Sequence, residues 1–298
     1  MMWFRNLKVF RLGGDWPREI ADSLAKHKFE PCAASAMSSY GWIPPRGNPE
    51  EYVVTVGGMQ LIALGIEEKL LPSSVIRLYI EQRLEEVEER QGFKPGRGQI
   101  REVKEQVTAE LLPRAFVKRR TTHAWIDNAG RWMVIDCGTH SKADEIIEQI
   151  RRTFGLAPLL PIHTQMSPAS AMTEWLAAGE APSPFTVDRE CELRSMAEER
   201  STVKYTRHAL ETEDIRHHLE EGKKATRLAM TWNGRISFVL TEDLFIKRLA
   251  FLDLLKEQSE KAATENQEDI FEADFIIMSG EVSQMIPQVI EALGGEVT

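Results

Sequence analysis

Four cations and one aromatic ring crowd into seven residues of the stretch LLPRAFVKRRTTHAWID (111–127): Arg114, Phe116, Lys118, Arg119 and Arg120. Lysine and arginine at that density can bind phosphate groups, releasing counterions with little regard to sequence. The ring among them is either ordinary core, a platform on which bases stack, or an anchor for a partner's pocket. Two further clusters are basic: KYTRH (204–208), with Lys204 and Arg207, and GKKATR (222–227), with Lys223, Lys224 and Arg227. Any one cluster alone reads as solvated surface; three together favour a polyanionic partner.

The formal net charge of −9 argues against such a partner only if charge is spread evenly. It is not. Residues 94–120 hold eight cations, Arg97 among them, against Glu102, Glu105 and Glu110, a net of +5. Residues 256–274 hold two lysines against seven carboxylates, a net of −5. Segregation of this kind lets an acidic chain bind nucleic acid on one surface and repel it on another.

The residue types that carry catalysis are present but not in working patterns. There is no GxGxxG; GFKPGRG (92–98) lacks the Gly-Lys-Ser/Thr ending of a phosphate loop, and EGKKAT lacks a glycine five residues before Gly222. His217 and His218 are adjacent, so a helix would point them about 100° apart, and no HExxH occurs. No serine sits in a GxSxG elbow. Asp127 and Asp136 fall at strand ends, where aspartates usually shape turns. Cys32, Cys137 and Cys191 form no CxxC pair and read as buried free thiols. Neither an enzyme, a cofactor nor a metal is expected.

The elements that would hold the basic clusters form an α+β pattern dominated by antiparallel hairpins. The 298 residues leave room for two or three domains, and 42% hydrophobic with 28% charged residues is the balance of a folded chain. NLKVFRL (6–12) alternates as a strand, and a helix should follow from Pro17 through Ile20 and Leu24. Residues 52–56 and 61–66 read as a hairpin around Gly57 and Gly58. Residues 73–91 read as a charged helix with a seam through Val75, Ile76, Ile80, Leu84 and Val87. GFKPGRG breaks it, and a second helix runs through Ile100, Val103, Val107 and Leu111 towards Phe116. THAWID and RWMVIDCG form the next hairpin, then a helix over 141–154. SAMTEWLAAG is the most helical part of 157–206. Asn233-Gly234 marks a hairpin within 223–253, and an apolar helix fills 267–293, with Pro287 inside it and Gly294 and Gly295 ending it. No run approaches the roughly 18 apolar residues of a membrane span, and MMWFRNLKVFRL is no signal peptide, so a cytoplasmic protein without a membrane partner is expected.

Ordered stretches along the whole chain resemble the bacterial recombination-associated RdgC family: MWFRNLKVFRL (2–12), GWIPP (41–45), EEKLLPSSVI (67–76), LLPRAF (111–116), WID (125–127), LDLLKEQ (252–258), FEADFIIMSGE (271–281) and IEALGGE (290–296). The resemblance implies a homodimer closed into a ring through two subunit contacts, with a basic hole that admits duplex DNA. It implies double-stranded DNA bound without sequence preference, single-stranded DNA more weakly, antagonism of the RecA recombinase, a nucleoid-associated location, and no cofactor. It also implies three regions: a centre (1–72 plus 121–180), a helical tip (73–120) and a base (181–298) with a finger near 200–220.

Carried onto LLPRAF, Phe116 is the implied tip anchor of the dimer, and His208 falls at the implied finger contact, where the family often has Lys-Gln and this chain has Arg207-His208. The DNA-binding candidates are Arg97, Arg114, Lys118, Arg119, Arg120, Lys204, Arg207, Lys223 and Lys224. Two rival functions remain: a regulator that touches the recombinase directly through its acidic surface, and a nuclease or phosphotransferase.

Overall fold

The computed structural model describes residues 3–155, 159–197, 199–210, 213–252 and 267–297. Residues 253–266, with all of LDLLKEQ except Leu252 and most of the acidic run 256–274, lie outside the described residues. The chain divides into two compact units. The larger holds residues 1–19, 53–61 and 123–298; the smaller holds 20–52 and 62–122.

The larger unit is built on a large antiparallel sheet, as the hairpin-rich sequence requires. β1 (Leu7–Leu12) lies between β6 (Trp132–Asp136) on one side and β12 (Phe245–Phe251) and β7 (Leu159–Pro161) on the other. β5 (Phe116–Asp127) pairs with β6 through its second half. Beyond β12 come β11 (Ile236–Thr241), β10 (Lys223–Trp232), β8 (Phe185–Ser195) and β9 (Thr202–Thr206) in that order. β3 (Val54–Val56) pairs with the start of β4 (Met59–Leu70), and both glycines of their turn have positive φ, +60° at Gly57 and +81° at Gly58. That left-handed pair is what a two-residue hairpin needs and what a side chain would resist.

Helices α5 (Pro168–Ala178) and α7 (Gln267–Ala292) carry the apolar faces that close this core. Phe275, Met278, Val282, Met285 and Val289 of α7 are buried, and Phe275 meets Trp125 edge-on with centroids 6.5 Å apart. α5 is tied to β10 where Ala225 N donates to Thr173 Oγ1 at 2.9 Å. α4 (His140–Phe154) buries Ala143, Ile146 and Ile150, and Thr139 Oγ1 caps its start. α6 (Glu213–Glu220) precedes β10.

The smaller unit pairs β2 (Ser38–Ile43) with β4, Gly41 opposite Gly65. A Cβ at Gly41 would lie 2.3 Å from Phe29 Cα, so glycine there lets the 27–29 segment hydrogen-bond to β2 through Phe29 N to Trp42 O at 2.8 Å. α2 (Ser73–Gln91) and α3 (Arg97–Leu111) form the expected helical pair. α2 ends on left-handed Gly92, and Gln99 Oε1 accepts from Gly96 N at 2.9 Å to cap α3.

Several expectations shift. α1 is short, Ala21–Lys26, and begins four residues after Pro17. α2 buries no residue, so its apolar seam is at best half covered, whereas α3 buries Val103 and Val107. The second helix does not run to Phe116: Pro113 sits in a 3-10 turn, Leu112–Arg114, and Phe116 opens β5. Cys137 and Cys191 are buried, but Cys32 is only half-buried. Asp274, counted in the outward acidic run, is 2% exposed.

Candidate nucleic-acid interface

The leading half of β5 carries the basic cluster, and strand alternation sorts it. Proline in the 3-10 turn ends the helical run because its ring forbids the next backbone hydrogen bond. The chain then extends, placing Phe116 and Lys118 on one face of the strand and Val117 and Arg119 on the other. Phe116 is 84% exposed and Val117 47%. Core is thereby ruled out for the ring of Phe116 within this chain.

The four cations divide into two pairs. Arg119 Nε donates to Glu67 Oε2 at 2.5 Å, and Arg120 Nη2 to Glu68 Oε1 at 3.2 Å. Glu67 is almost fully buried and also accepts from Cys32 N at 2.8 Å; that backbone donor first, and Arg119 second, hold its carboxyl below the usual range. Arg119 and Arg120 are therefore each paired with a carboxylate of the neighbouring strand, although the Arg119 side chain stays 66% exposed. Arg114 and Lys118 are exposed and, among the described residues, have no ion-pair partner.

Arg97 opens α3, exposed and also without an ion pair among the described residues. A cation at a helix N-terminus gains nothing from the backbone dipole. Its neighbour Arg101 instead leans on Glu105 at 3.8 Å, with both side chains solvated.

In the larger unit the clusters at β9 and β10 divide similarly. Lys223 is 11% exposed at its side chain, its Nζ 2.6 Å from Glu221 Oε2 and 3.0 Å from His218 Nδ1. Lys223, ahead of the other donors, holds the Glu221 carboxyl below its ordinary value. Lys204 faces Glu190 at 4.0 Å, and Arg227 faces Glu192 at 3.9 Å. Lys224 and Arg207 are exposed with no ion pair among the described residues, and Arg207 adopts a positive φ of 56°. His208 is exposed, its ring 5.4 Å from that of Tyr205 and its Nδ1 2.7 Å from Ala209 O. Burial foremost, with Asp214 next, raises the Tyr205 hydroxyl's pKa.

Among the described residues, five of the nine cation candidates thus stand without an ion pair (Arg97, Arg114, Lys118, Arg207 and Lys224), and four lean on carboxylates. Glu67 and Glu68 lie 52 residues before their partners, too far for any local pattern to announce them; strand pairing brings them together. Glu221 lay in plain view, two residues from Lys223, and was the one legible signal.

The groups considered for chemistry serve the fold. Asp127 Oδ1 accepts from Gly130 N at 2.8 Å, shaping the β5–β6 turn, and Asp136 Oδ1 accepts from Asn6 N at 2.9 Å. Burial pushes the thiols of Cys137 and Cys191 up to about 12, which leaves both as unreactive thiols. Among the described residues no three His, Cys, Asp or Glu side chains are grouped to hold a metal ion, and no helix is long and apolar enough to cross a membrane.

Comparison with known proteins covers the whole chain. The family model described as "Putative exonuclease, RdgC" matches residues 2–296. Curated proteins named recombination-associated protein RdgC are 47% identical in Dechloromonas aromatica, 48% in Janthinobacterium sp. and 49% in Cupriavidus necator, each over 99% of both chains. The likeness spans both units and the strands that carry the basic residues, and on that ground the chain belongs to the RdgC family.

Proposed function

We propose that this protein acts in DNA recombination as a nonspecific double-stranded DNA-binding protein, a homodimer that encircles duplex DNA and limits access of a RecA-type recombinase. The observation that carries the reading is the opening of β5. There an apolar ring, 84% exposed, stands between two cations, Arg114 and Lys118, that have no ion-pair partner among the described residues. A ring that exposed gains by burial against a second copy, and unpaired cations gain by meeting phosphate. The family's recombination-associated name supports the same process.

In this reading α2, α3 and the start of β5 make the tip, with Phe116 its anchor. Arg97, Arg114, Lys118, Arg207 and Lys224 meet duplex DNA, while Arg119, Arg120, Lys204 and Lys223 shape the surface from within their ion pairs. The centre, tip and base keep the boundaries 1–72 plus 121–180, 73–120 and 181–298. His208 serves the second subunit contact. The protein works in the nucleoid, binds single strands more weakly and needs no catalytic residue.

The test is fluorescence anisotropy of a labelled random-sequence duplex over a salt series, comparing wild type with Arg114→Ala/Lys118→Ala. Wild type should bind with log K falling steeply in log salt, by about 0.9 per phosphate contact, and the double variant should flatten that slope by roughly two contacts. Absence of binding would overturn the reading in favour of direct contact with the recombinase. Metal-dependent cutting of the duplex would favour the nuclease named in the family description.

A further inference from the structure

A second polar site lies in the larger unit, away from the residues named above. Where β1 ends, the 13–18 loop meets the 128–131 turn around an open cavity of about 410 Å³, whose lining includes Asp15, Trp16, Arg18, Asn128 and Arg131. That volume suits a small-molecule ligand and exceeds the needs of a bare inorganic anion.

The charges are arranged for an anion. Arg18 and Arg131 are exposed residues and, among the described residues, neither is in an ion pair. Arg131 Nη2 donates to Leu12 O at 2.9 Å, which leaves the rest of its fork for another acceptor. Arg131 also sits at φ +58°, a left-handed conformation that a non-glycine residue adopts at a cost. Two guanidiniums match the two charges of a terminal phosphate better than the single charge of an internal phosphodiester, and each can bind phosphate through two parallel hydrogen bonds.

The rest of the lining suits a nucleoside. Trp16 presents an aromatic wall, and Asp15 and Asn128 offer an acceptor and an amide to hydroxyls or a base edge. Among the described residues two buried polar atoms, Trp16 Nε1 and Gln60 Oε1, have no hydrogen-bond partner. Both side chains are 6% exposed, and Gln60 Nε2 is fixed to Arg18 O at 2.8 Å, which ties the loop in place.

We propose that this cavity binds a phosphomonoester nucleotide, its phosphate between Arg18 and Arg131. The chemistry is the same in a free mononucleotide and at the 5′-phosphate end of a DNA strand.

The experiment is isothermal titration calorimetry of the full chain with four probes: deoxyadenosine 5′-monophosphate, inorganic phosphate, and one short oligonucleotide with either a 5′-phosphate or a 5′-hydroxyl. Arg18→Ala and Arg131→Gly are the test variants; glycine accepts the positive φ at 131, and both residues are exposed, so melting temperature should hold. Nucleotide or 5′-phosphorylated strand should bind, and each variant should weaken that binding about tenfold or more. Arg114→Ala/Lys118→Ala should leave binding of the mononucleotide and the advantage of the 5′-phosphorylated over the 5′-hydroxyl strand unchanged, which separates this site from the duplex-binding reading. Binding of the mononucleotide assigns a free ligand, whereas binding only of the 5′-phosphorylated strand assigns a DNA end. The proposal is overturned if neither probe binds, if both arginine variants bind like wild type, or if inorganic phosphate binds as tightly as the nucleotide.

Discussion

The two halves of β5 share one strand and meet opposite fates. From 116 to 119 every residue is exposed; from 124 to 127 every residue is buried. The buried half, Ala-Trp-Ile-Asp, belongs to the packed core, where Trp125 lies within ring-contact range of both Phe4 and Phe275. In the exposed half, Phe-Val-Lys-Arg, Arg119 pairs with Glu67 while the apolar side chains of Phe116 and Val117 lie in water. Phenylalanine and valine left in water on a β-rich strand are the physical argument behind the proposed partner surface.

The largest contrast should come from deleting one ring in each half. Trp125→Ala should cost about 3–5 kcal/mol by urea denaturation, since it removes a fully buried ring. Trp125→Phe should cost much less, because the indole Nε1 has no hydrogen-bond partner to lose among the described residues. If the alanine variant unfolds at the wild-type urea concentration, the core assignment of this half is wrong.

A pH limb should follow from His123, just before the buried half. Burial lowers its pKa from 6.5 to about 4. The folded protein then binds fewer protons than the unfolded chain, so stability is complete above 6.5 and declines as pH falls from there towards about 4. Melting temperatures across that window should fall for wild type and stay flatter for His123→Gln.

In the exposed half the corresponding group is Glu67 beneath Arg119. Its carboxyl is held below its ordinary 4.5, so its contribution is present above that value and lost as pH falls through the lower folded value. Glu67→Gln should remove that acid limb and leave the His123 limb unchanged. Identical acid profiles in the two proteins would show that Arg119 draws nothing from this carboxylate.

The smallest effect on folding should carry the largest effect on assembly. Phe116→Ser should change the stability of the isolated subunit by no more than about 0.5 kcal/mol, because the ring is already in water. In sedimentation and duplex-binding measurements the same substitution should weaken self-association and DNA binding together. A substantial loss of subunit stability with self-association intact would reverse the contrast between the halves.

Much of this architecture was legible from local pattern. The turns at Gly57-Gly58 and Asn233-Gly234 adopt the left-handed backbone those residues favour, with φ of 60° and 81° at the first and 49° and 62° at the second. Helices α3, α4 and α5 sit where period and breakers placed them. Helical period misled at 112–116, because Leu-Leu-Pro-Arg-Ala-Phe fits either a helix end or a strand lead and only Pro113 hints at the change. Pro17 misled in the other direction: it suits a helix start, yet α1 begins only at Ala21.

What the sequence alone determined is therefore what depends on neighbours a few residues apart: the α+β class, the hairpins, the helical pair, the segregation of charge and the family. Which cations remain available was decided by tertiary structure. Glu67 and Glu68 pair with Arg119 and Arg120 across 52 residues of chain, and Glu190 approaches Lys204 from an adjacent strand. The cavity between Arg18 and Arg131 is likewise invisible in one dimension, since it exists only because β1 pairs with β6, Arg11 opposite Trp132. Backbone preference acts locally and can be read locally, whereas electrostatic pairing depends on distance in space, which sequence separation does not encode.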